Sequence, residues 1–454
     1  MTRALVIGGG LAGLSAATAL TEAGVPCTVL EGRGSLGGRA SSVVHRRTGD
    51  EIDTGQHVVM GCYDETFRYL RRIGAEDGIR LQDRLRVALV EPGRRRAVLA
   101  CPPLPAPLHL AAGLFGHALL TPLERLRCVK VTMAARFGAG DPALDRISVA
   151  DWLRQLGQSE NALRVFWTPT CLATLNADIE TAAASLFATV LDRAFLGPGQ
   201  SSSLGWPTAG LSTVLAEPAR EPLERGGSTL EMNQPVRGLL VENGRCVGVV
   251  DRGGRERRAD VVIAAVPADV LARLLPEEWL GRSPFDGLDC FEPSSIVSVH
   301  LWLEQRVLEA SFVGLIDSPV HWVFDRESCW GRPPQGGAQL LTIVRSGAGE
   351  WAERDRDEVL RECRDELFRA FPDIASTRIL DSEVIKERRA TFVGRPGLSV
   401  RRFGPDTPVP GLLVAGDWTD TGLPATIEGA CQSGHAAAAR LLQLTRTSHE
   451  SPAA

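Results

Sequence analysis

Residues 4–39 read ALVIGGGLAGLSAATALTEAGVPCTVLEGRGSLGGR, and this stretch decides the fold. The apolar run ALVI predicts a buried strand, the small residues after it predict a helix, and CTVLE predicts a second strand. Gly8, Gly10 and Gly13 form a G-x-G-x-x-G pattern between the first strand and the helix. In that setting the pattern indicates a dinucleotide-binding βαβ unit, which predicts an α/β protein.

Each glycine meets one steric requirement of a dinucleotide-binding site. Gly8 permits the tight turn, Gly10 lets the backbone approach a pyrophosphate, and Gly13 lets the helix pack closely on the strand. The first helical turn, with Leu11 and Ala12, presents free N–H groups and a partial positive charge to the phosphates. The pattern therefore predicts cofactor contacts at all five positions.

An acidic residue and a second glycine pair indicate which dinucleotide binds. Glu31 lies 18 residues after Gly13, at the end of the second strand, where a carboxylate accepts hydrogen bonds from ribose hydroxyls. Gly37, Gly38 and Arg39 complete an E-x-x-x-x-x-G-G-R run, which resembles the signature of the phytoene desaturase and amine oxidase class of flavoproteins. The resemblance implies FAD, with its pyrophosphate beside the glycine pair and Arg39 adding positive charge.

A second segment, EIDTGQHVVMG, resembles the element that follows in that class. The resemblance implies that Gly55, Gln56 and His57 lie near the flavin ring, with Asp53 just before them. It also implies a contact at Val236, where members of the class hold the adenine or ribose through the backbone.

The segment VAGDWTDTGLPATIEGACQSG resembles the closing signature of the same class, in which a G-D pair ends a strand and a helix follows. The resemblance implies that Gly416 and Asp417 contact the cofactor, Asp417 at the ribityl chain. Thr426 is predicted to cap a helix that begins at Ile427. The positive end of that helix would point at the flavin N1/C2 carbonyl, where negative charge collects on reduction.

The matched segments predict two interleaved domains. A discontinuous, Rossmann-like FAD-binding domain is expected from residues 1–75, 206–284 and 400–445. An α+β substrate domain is expected from residues 76–205 and 285–399. The polar residues 446–454 are predicted to be a flexible tail.

Composition narrows the classes of function. The formal net charge is −5 and no basic stripe stands out, so nucleic acid is not an expected partner. Ten scattered cysteines include no C-x-x-C pair, which argues against a structural zinc site and a disulfide framework and fits a reducing cytosol, and no metal is expected. The chain opens on a strand, and no apolar run of about 18 residues follows. A cytoplasmic protein at the inner membrane is predicted, with Leu104 to Leu120 as either a membrane-surface entrance or a buried channel wall.

Two features argue against amine oxidation within the class. Amine oxidases carry an aromatic residue just before the closing helix, where this chain has Thr426, and commonly a lysine from the second insertion. The chain has only Lys130 and Lys386, and neither lies in residues 285–380. The phrases GQHVVMGCY, FWTPTCLATLN, GWPTAGLS and TGLPATIEGA instead resemble the hydroxysqualene dehydroxylase branch.

That resemblance implies a reductive reaction on a long isoprenoid lipid. Assisted loss of water from hydroxysqualene would leave an allylic cation, and reduced FAD would return a hydride to give squalene. The alternatives are a carotenoid-type desaturase, an amine oxidase, and a flavin-binding isoprenoid carrier without turnover. Squalene-pathway synthases are implied as neighbours.

A proton donor is needed beside the leaving hydroxyl. His57 is the first candidate because an imidazole carries a proton near neutral pH, and Asp420 and Glu428 are the others. The alternatives are a His57 that only hydrogen-bonds FAD or the backbone, and a Glu428 that only complements its helix dipole.

The substrate is expected to occupy a long apolar channel. Its candidate lining comprises Leu108, Leu114, Phe115, Leu119, Leu120, Phe166, Trp167, Leu172, Leu175, Phe187 and Trp302.

Overall fold

The computed structural model describes residues 2–93, 95–372, 374 and 377–450. The strands are β1 Ala4–Ile7, β2 Cys27–Leu30, β3 Ser42–Val44, β4 Glu51–Asp53, β5 Val59–Met60, β6 Ile79–Leu81, β7 Arg86–Val90, β8 Arg96–Ala100, β9 Leu204–Pro207, β10 Thr229–Glu231, β11 Val236–Glu242, β12 Arg245–Asp251, β13 Glu256–Arg258, β14 Val261–Ala264, β15 Pro293–Leu303, β16 Phe312–Leu315, β17 Trp322–Asp325, β18 Gln339–Ser346, β19 Ile379–Phe392 and β20 Leu412–Val414.

The helices connect these strands and cover the sheets. They are α1 Leu11–Glu22, α2 Asp64–Arg72, α3 Leu108–Phe115, α4 Pro122–Gly138, α5 Val149–Gln155, α6 Glu160–Ala162, α7 Thr168–Leu175, α8 Ala184–Phe195, α9 Arg220–Arg225, α10 Ala268–Leu274, α11 Glu277–Leu280, α12 Arg326–Trp330, α13 Gly349–Glu353, α14 Arg356–Ala370 and α15 Ile427–Glu450. Within the described ranges, none of them combines the length and the apolar character needed to cross a bilayer.

A five-stranded parallel sheet carries the predicted cofactor residues. Its order is β10-β2-β1-β14-β20, and β1, β14 and β20 are buried along their whole length. Continuous apolar strands of this kind are typical of parallel sheets covered on both faces. The chain leaves the carboxyl ends of β1, β2 and β20 at Gly8, Glu31 and Ala415, so the loops that they begin gather at one edge.

The first and last helices pack together over this sheet. Leu14 of α1 and Leu441 of α15 are buried in one core. A Cβ at Gly434 would lie 2.2 Å from the carbonyl oxygen of Ala12, so the two helices cross in direct contact. The final helix continues to Glu450, beyond residue 445, where the FAD-binding domain was predicted to end. Part of the predicted tail is therefore helical, and residues 451–454 lie outside the described residues.

A seven-stranded sheet forms a second layer, ordered β19-β15-β18-β17-β16-β7-β8. Neighbouring strands are antiparallel, except that β16 runs parallel to β7. Strands β7 and β8 come from the first predicted insertion, and β15 to β19 come from the second. Val359, Cys363 and Leu367 of α14 are buried with this sheet in a separate core. The predicted α/β class is confirmed, and the domain boundaries stay a prediction.

The β3–β4 hairpin links the two sheets. Trp302 on β15 donates its indole N–H to Asp50 Oδ2 at 2.7 Å. His300 on the same strand has Nε2 3.2 Å from the carbonyl oxygen of Asp53. Because the hairpin lies between the second glycine loop and His57, these contacts position both parts of the predicted site.

Candidate active site

The first glycine turn joins β1 to α1 and closes tightly. Gly8 has a φ of +102°, and a Cβ there would lie 2.5 Å from the carbonyl oxygen of Ala265. At Gly13 a Cβ would lie 1.9 Å from the carbonyl oxygen of Gly8. A side chain at either position would therefore force the helix away from the sheet.

The N-terminus of α1 can receive an anion. No side chain caps it at Gly10, and Leu11 and Ala12 are buried in the first turn, whose N–H groups lack helical partners. A Cβ added at Gly10 would meet only the Cα of Gly38 within 4 Å, at 3.9 Å. Two bare stretches of backbone thus face each other beside a helix N-terminus, and this arrangement fits the pyrophosphate of FAD.

The second glycine loop packs against the first. The N–H of Gly37 donates to the carbonyl oxygen of Gly9 at 2.9 Å. Gly37 and Gly38 have φ angles of +98° and +63°, and a Cβ at Gly37 would lie 2.4 Å from the carbonyl oxygen of Ala40. The G-G pair is therefore required by the backbone path itself.

Glu31 is buried at the end of β2 and holds both turns. Its Oε2 accepts the N–H of Gly9 and its Oε1 accepts the N–H of Arg33, each at 2.7 Å. A carboxylate has about four acceptor positions, so room remains for a ribose hydroxyl. The N–H of Gln234 donates to the Glu31 carbonyl oxygen at 2.8 Å, which brings half-buried Val236 to the same edge.

An ion pair joins the second glycine loop to the loop after β20. The sequence predicts that the first contacts the FAD pyrophosphate and the second its ribityl chain. Arg39 Nη2 lies 2.7 Å from Asp417 Oδ1, and Arg39 Nη1 donates to the carbonyl oxygen of Ala390 at 3.0 Å. Just before Asp417, the N–H of Gly416 donates to Ser433 Oγ at 2.9 Å. These bonds fasten the second glycine loop to the loop after β20 and to α15.

Arg402 is a site residue that sequence reasoning missed. Its buried guanidinium lies under the loop after β20, and burial lowers its pKa to about 10. No motif in the sequence marks this arginine, since its partners lie 15 to 21 positions away. It donates to the carbonyl oxygens of Asp417, Trp418, Thr419 and Leu423 and to the hydroxyl of Thr421.

The N-terminus of α15 begins as predicted. Thr426 Oγ1 accepts the N–H of Gly429 at 3.0 Å, which confirms Thr426 as the cap of a helix whose first residue is Ile427. The cap fixes the direction of the helix and leaves the N–H groups of its first two residues available.

Glu428, one of the proton-donor candidates, is buried against α2. Its carboxylate accepts the N–H groups of Glu65 and Thr66 at 3.1 and 2.9 Å, and the Thr66 hydroxyl at 2.8 Å. Burial raises the pKa of Glu428, and these three bonds oppose the rise. The carboxylate therefore caps α2 from a neighbouring helix, which favours a positioning role.

His57 lies half-buried just after the β3–β4 hairpin. Its Nδ1 is 2.8 Å from the carbonyl oxygen of Gly55, so Nδ1 carries the proton in the neutral ring and Nε2 points elsewhere. Burial lowers the pKa of His57, the bond to Gly55 opposes this, and the charge of Arg39 lowers it further. Gln56 donates its amide to the His57 carbonyl oxygen at 3.3 Å.

Asp53 is a buried carboxyl beside these residues. Burial raises its pKa from 3.8 to about 7, against hydrogen bonds from the Leu211 N–H at 2.9 Å and the Ser42 hydroxyl at 2.7 Å. The group is thus partly protonated near neutral pH. Its shift depends on burial by residues distant in sequence, which a single motif does not reveal.

Asp420 lies in the loop after β20, and the proposed channel residues lie elsewhere. Asp420 is exposed, its N–H donates to the carbonyl oxygen of Phe403 at 3.0 Å, and its negative charge raises the pKa of Arg402 against the effect of burial. Leu172 lines an open cleft between α7 and β17. Leu108 and Phe115 are more than half exposed on the outside of α3. The other proposed channel residues are buried in packed cores, namely Leu114, Leu119, Leu120, Phe166, Trp167, Leu175, Phe187 and Trp302.

Comparison with known proteins identifies the family to which the chain belongs. Residues 11–442 match the family described as flavin containing amine oxidoreductase. Hydroxysqualene dehydroxylase of Sinorhizobium fredii is 30% identical, with 97% of this chain and 99% of that protein covered. The 15-cis-phytoene desaturase of Capsicum annuum is 28% identical, over 97% and 77% of the two chains.

Solved structures show the same fold. Cyclohexylamine oxidase from Brevibacterium oxydans superposes with a TM-score of 0.74 at 19% identity, over 98% of this chain and 99% of that one. The family match includes Gly13, the second glycine loop, the His57 segment and the α15 N-terminus. The predicted family resemblance and the predicted FAD are therefore confirmed. The chain belongs to the flavin containing amine oxidoreductase family and is an FAD-dependent oxidoreductase.

Proposed function

We propose that the chain catalyses the reductive dehydroxylation of hydroxysqualene to squalene. The proposal is carried by the 30% identity to a hydroxysqualene dehydroxylase, because that similarity extends over 97% of this chain and 99% of the relative. The substrate C–O bond breaks, a C–H bond forms at the same carbon, and the oxygen leaves as water after taking one proton. When bound, reduced FAD supplies the hydride that this balance requires.

The residues proposed to hold FAD surround the edge of the parallel sheet. The glycine turns and the first turn of α1 take the pyrophosphate, and Glu31 takes a ribose. The cap of α15 directs a helix N-terminus at the ring. The full set is Gly8, Gly10, Leu11, Ala12, Gly13, Glu31, Gly37, Gly38, Arg39, Gly55, Gln56, His57, Val236, Gly416, Asp417, Thr426 and Ile427.

His57 is the proposed proton donor to the leaving hydroxyl. Its Nδ1–H is held by Gly55, so the proton that reaches the substrate must come from Nε2 of the imidazolium. The lowered pKa makes that imidazolium a stronger acid and its population smaller. Arg39, whose charge acts on His57, is paired with Asp417 at 2.7 Å, so part of its positive charge is offset near the place where a substrate cation would form.

The placement of the lysines supports this reading over amine oxidation. Lys130 is exposed on α4, and Lys386 on β19 donates its ammonium to the carbonyl oxygen of Arg354. Lys130 therefore faces solvent, and the ammonium of Lys386 is bound to the backbone at Arg354. A carotenoid-type desaturase stays the second candidate, because 15-cis-phytoene desaturases are nearly as similar along the same length of chain.

Product analysis separates these two candidates. Chemically reduced holoenzyme is incubated with hydroxysqualene without oxygen, and oxidised holoenzyme is incubated with phytoene in parallel. Mass spectrometry of the extracted lipids should find squalene in the first reaction and unchanged phytoene in the second. The reverse pattern would reassign the chain as a desaturase.

The lipid substrate sets where the enzyme works. A C30 isoprenoid is insoluble in water, so we propose that the enzyme collects it at the inner face of a membrane or from a neighbouring squalene-pathway synthase. Homologues with isoprenoid substrates support a lipid substrate. Peripheral attachment in the cytoplasm is part of the same proposal.

A further inference from the structure

The outer surface of α3 and α4 concentrates exposed apolar side chains. Twelve large apolar residues are exposed among the described residues, and seven of them lie between Leu104 and Phe137. Isolated exposed apolar residues are ordinary, but a contiguous group marks an interaction site. The seven are Leu104, Leu108, Phe115, Leu123, Leu126, Met133 and Phe137, and they define what we call the α3–α4 face.

Helix α4 is built with two opposite surfaces. Leu123, Leu126, Met133 and Phe137 recur at helical spacing on the outer side, and Phe137 is 84% exposed. The inner side, with Cys128 and its helical neighbours, is buried in the core shared with α8. The helix thus needs its inner surface for folding, and the fold leaves the outer surface uncovered.

Cations flank this apolar surface. Helix α4 carries Arg125, Arg127, Lys130 and Arg136, whereas the chain as a whole has a net charge of −5. Its one acid, Glu124, is buried, where it accepts hydrogen bonds from the Thr121 N–H and from Ser159 and Asn161. The exposed charge of the helix is therefore positive.

The four cations differ in their contacts. Arg125 donates to the carbonyl oxygen of Phe115 at 2.7 Å and so joins the two helices, and Arg136 pairs with Asp192 at 3.2 Å. Lys130 has no ion pair within the described ranges and lies at the same helical spacing as the outer apolar residues. A long ammonium side chain at that place reaches a headgroup while its stem lies on lipid.

We propose that the α3–α4 face docks the enzyme on an anionic lipid bilayer, with α4 lying in the plane of the headgroups. A second copy of the chain fits this face less well, because a symmetric dimer would bring the cations of both α4 helices together. Anionic lipids neutralise them and bury the apolar residues in one step. This proposal rests on the proposed function only for the purpose of docking, which is access to a lipid substrate. The binding itself depends on the apolar and cationic residues of the α3–α4 face.

The sequence predicted a membrane contact in a different part of the α3–α4 region. The stretch Leu104 to Leu120 was singled out, but Leu114, Leu119 and Leu120 are buried, and most of the exposed apolar surface lies on α4. Some residues of this stretch are buried and others exposed because α3 packs against β8 and α4, which cover one side of it.

Vesicle binding by the holoenzyme tests the face. Vesicles of phosphatidylglycerol with phosphatidylcholine are compared with phosphatidylcholine alone, by co-sedimentation. The double variant Leu126→Gln/Phe137→Gln should lose roughly tenfold or more in affinity for the anionic vesicles, and Lys130→Glu roughly fivefold or more. The matched control Leu380→Gln/Val400→Gln changes two exposed apolar residues elsewhere and should bind like the wild type.

Two readouts keep the outcomes separate. Wild-type binding by the α4 variants, equal loss in the control, or a wild-type dimer that the double variant converts to a monomer would each overturn the docking assignment. Turnover of detergent-dispersed hydroxysqualene should be unchanged in the variants. A protein that binds vesicles through α4 but never forms squalene would retain the docking surface and lose the proposed function.

Discussion

At the scale of single residues, two titratable groups at the β3–β4 hairpin, the buried Asp53 and the half-buried His57, set how the site responds to pH. Asp53 gains a proton more easily than an exposed carboxyl, and His57 loses one more easily than an exposed imidazole. Burial is the largest cause in both cases because it disfavours the charged form of either group. Both residues therefore tend towards neutrality at the proposed reaction site.

Asp53→Asn should change how stability depends on pH. The folded protein holds a proton on Asp53 up to a pH of about 7, whereas the unfolded chain releases it near 3.8. The folded state binds more protons between these values, so wild-type stability falls as pH rises through that window. Asparagine keeps the acceptor for Ser42 and Leu211 and does not titrate. Urea unfolding should show the variant gaining on the order of 1 kcal/mol or more relative to wild type between about pH 5 and pH 8. Parallel profiles would contradict the raised pKa.

His57→Gln should lower kcat and remove its decline at high pH. The imidazolium donates the proton and its population falls as pH rises through the lowered pKa, so wild-type kcat should decline above a midpoint below 6.5. Glutamine is not an acid, and kcat at low pH should fall by roughly a hundredfold or more. The measurement is kcat against pH, with FAD content from absorbance as the control. A variant that keeps the wild-type profile would leave His57 with only a structural role.

The glycine residues were predictable from sequence and Arg402 was not. Gly8 and Gly13 follow a steric rule that is local to a strand, a turn and a helix, and the structure shows the contacts that enforce it. Arg402 acts through carbonyl oxygens whose position depends on the path of the following loop. Asp53 likewise owes its pKa to burial by distant segments, which no spacing encodes.

At the scale of elements, Glu428 couples two helix N-termini. It lies in the first turn of α15, and its carboxylate caps α2 across 362 positions of sequence. The sequence predicted the α15 cap correctly because Thr426 and its partner are three residues apart. It could not predict the α2 cap, because that contact depends on how the two helices pack.

Glu428→Ala should destabilise the fold by about 2–4 kcal/mol, since three donors lose their buried acceptor. Glu428→Gln keeps one acceptor oxygen and should lose less. Urea unfolding measures both variants. A folded, stable Glu428→Gln protein without turnover would instead support Glu428 as the proton donor.

The apolar helices also show what the spacing of hydrophobic residues cannot predict. The pattern of α4 predicts a helix, but only packing against α8 shows which side is covered. Most residues proposed for a substrate channel are core residues for the same reason, since a buried wall and a packed core have the same composition.

At the scale of the whole molecule, FAD should hold together segments that are far apart in the chain. Its proposed contacts come from the residues around Gly8, Val236 and Asp417. Binding to the folded state alone stabilises it by about 2.7 kcal/mol at a hundredfold excess over Kd. The melting temperature of apoprotein should therefore rise with added FAD, and FMN, which lacks the adenosine half, should raise it much less. Equal shifts from the two flavins would remove the assignment of Glu31 and the glycine turns.

An anaerobic single turnover tests the proposed reaction most directly. Chemically reduced holoenzyme is mixed with hydroxysqualene, flavin absorbance is followed by stopped flow, and the lipid is extracted at the end. We expect reoxidation of the flavin with one squalene formed per flavin. Flavin that stays reduced with hydroxysqualene, while oxidised holoenzyme bleaches with phytoene or an amine, would leave the fold intact and contradict the function.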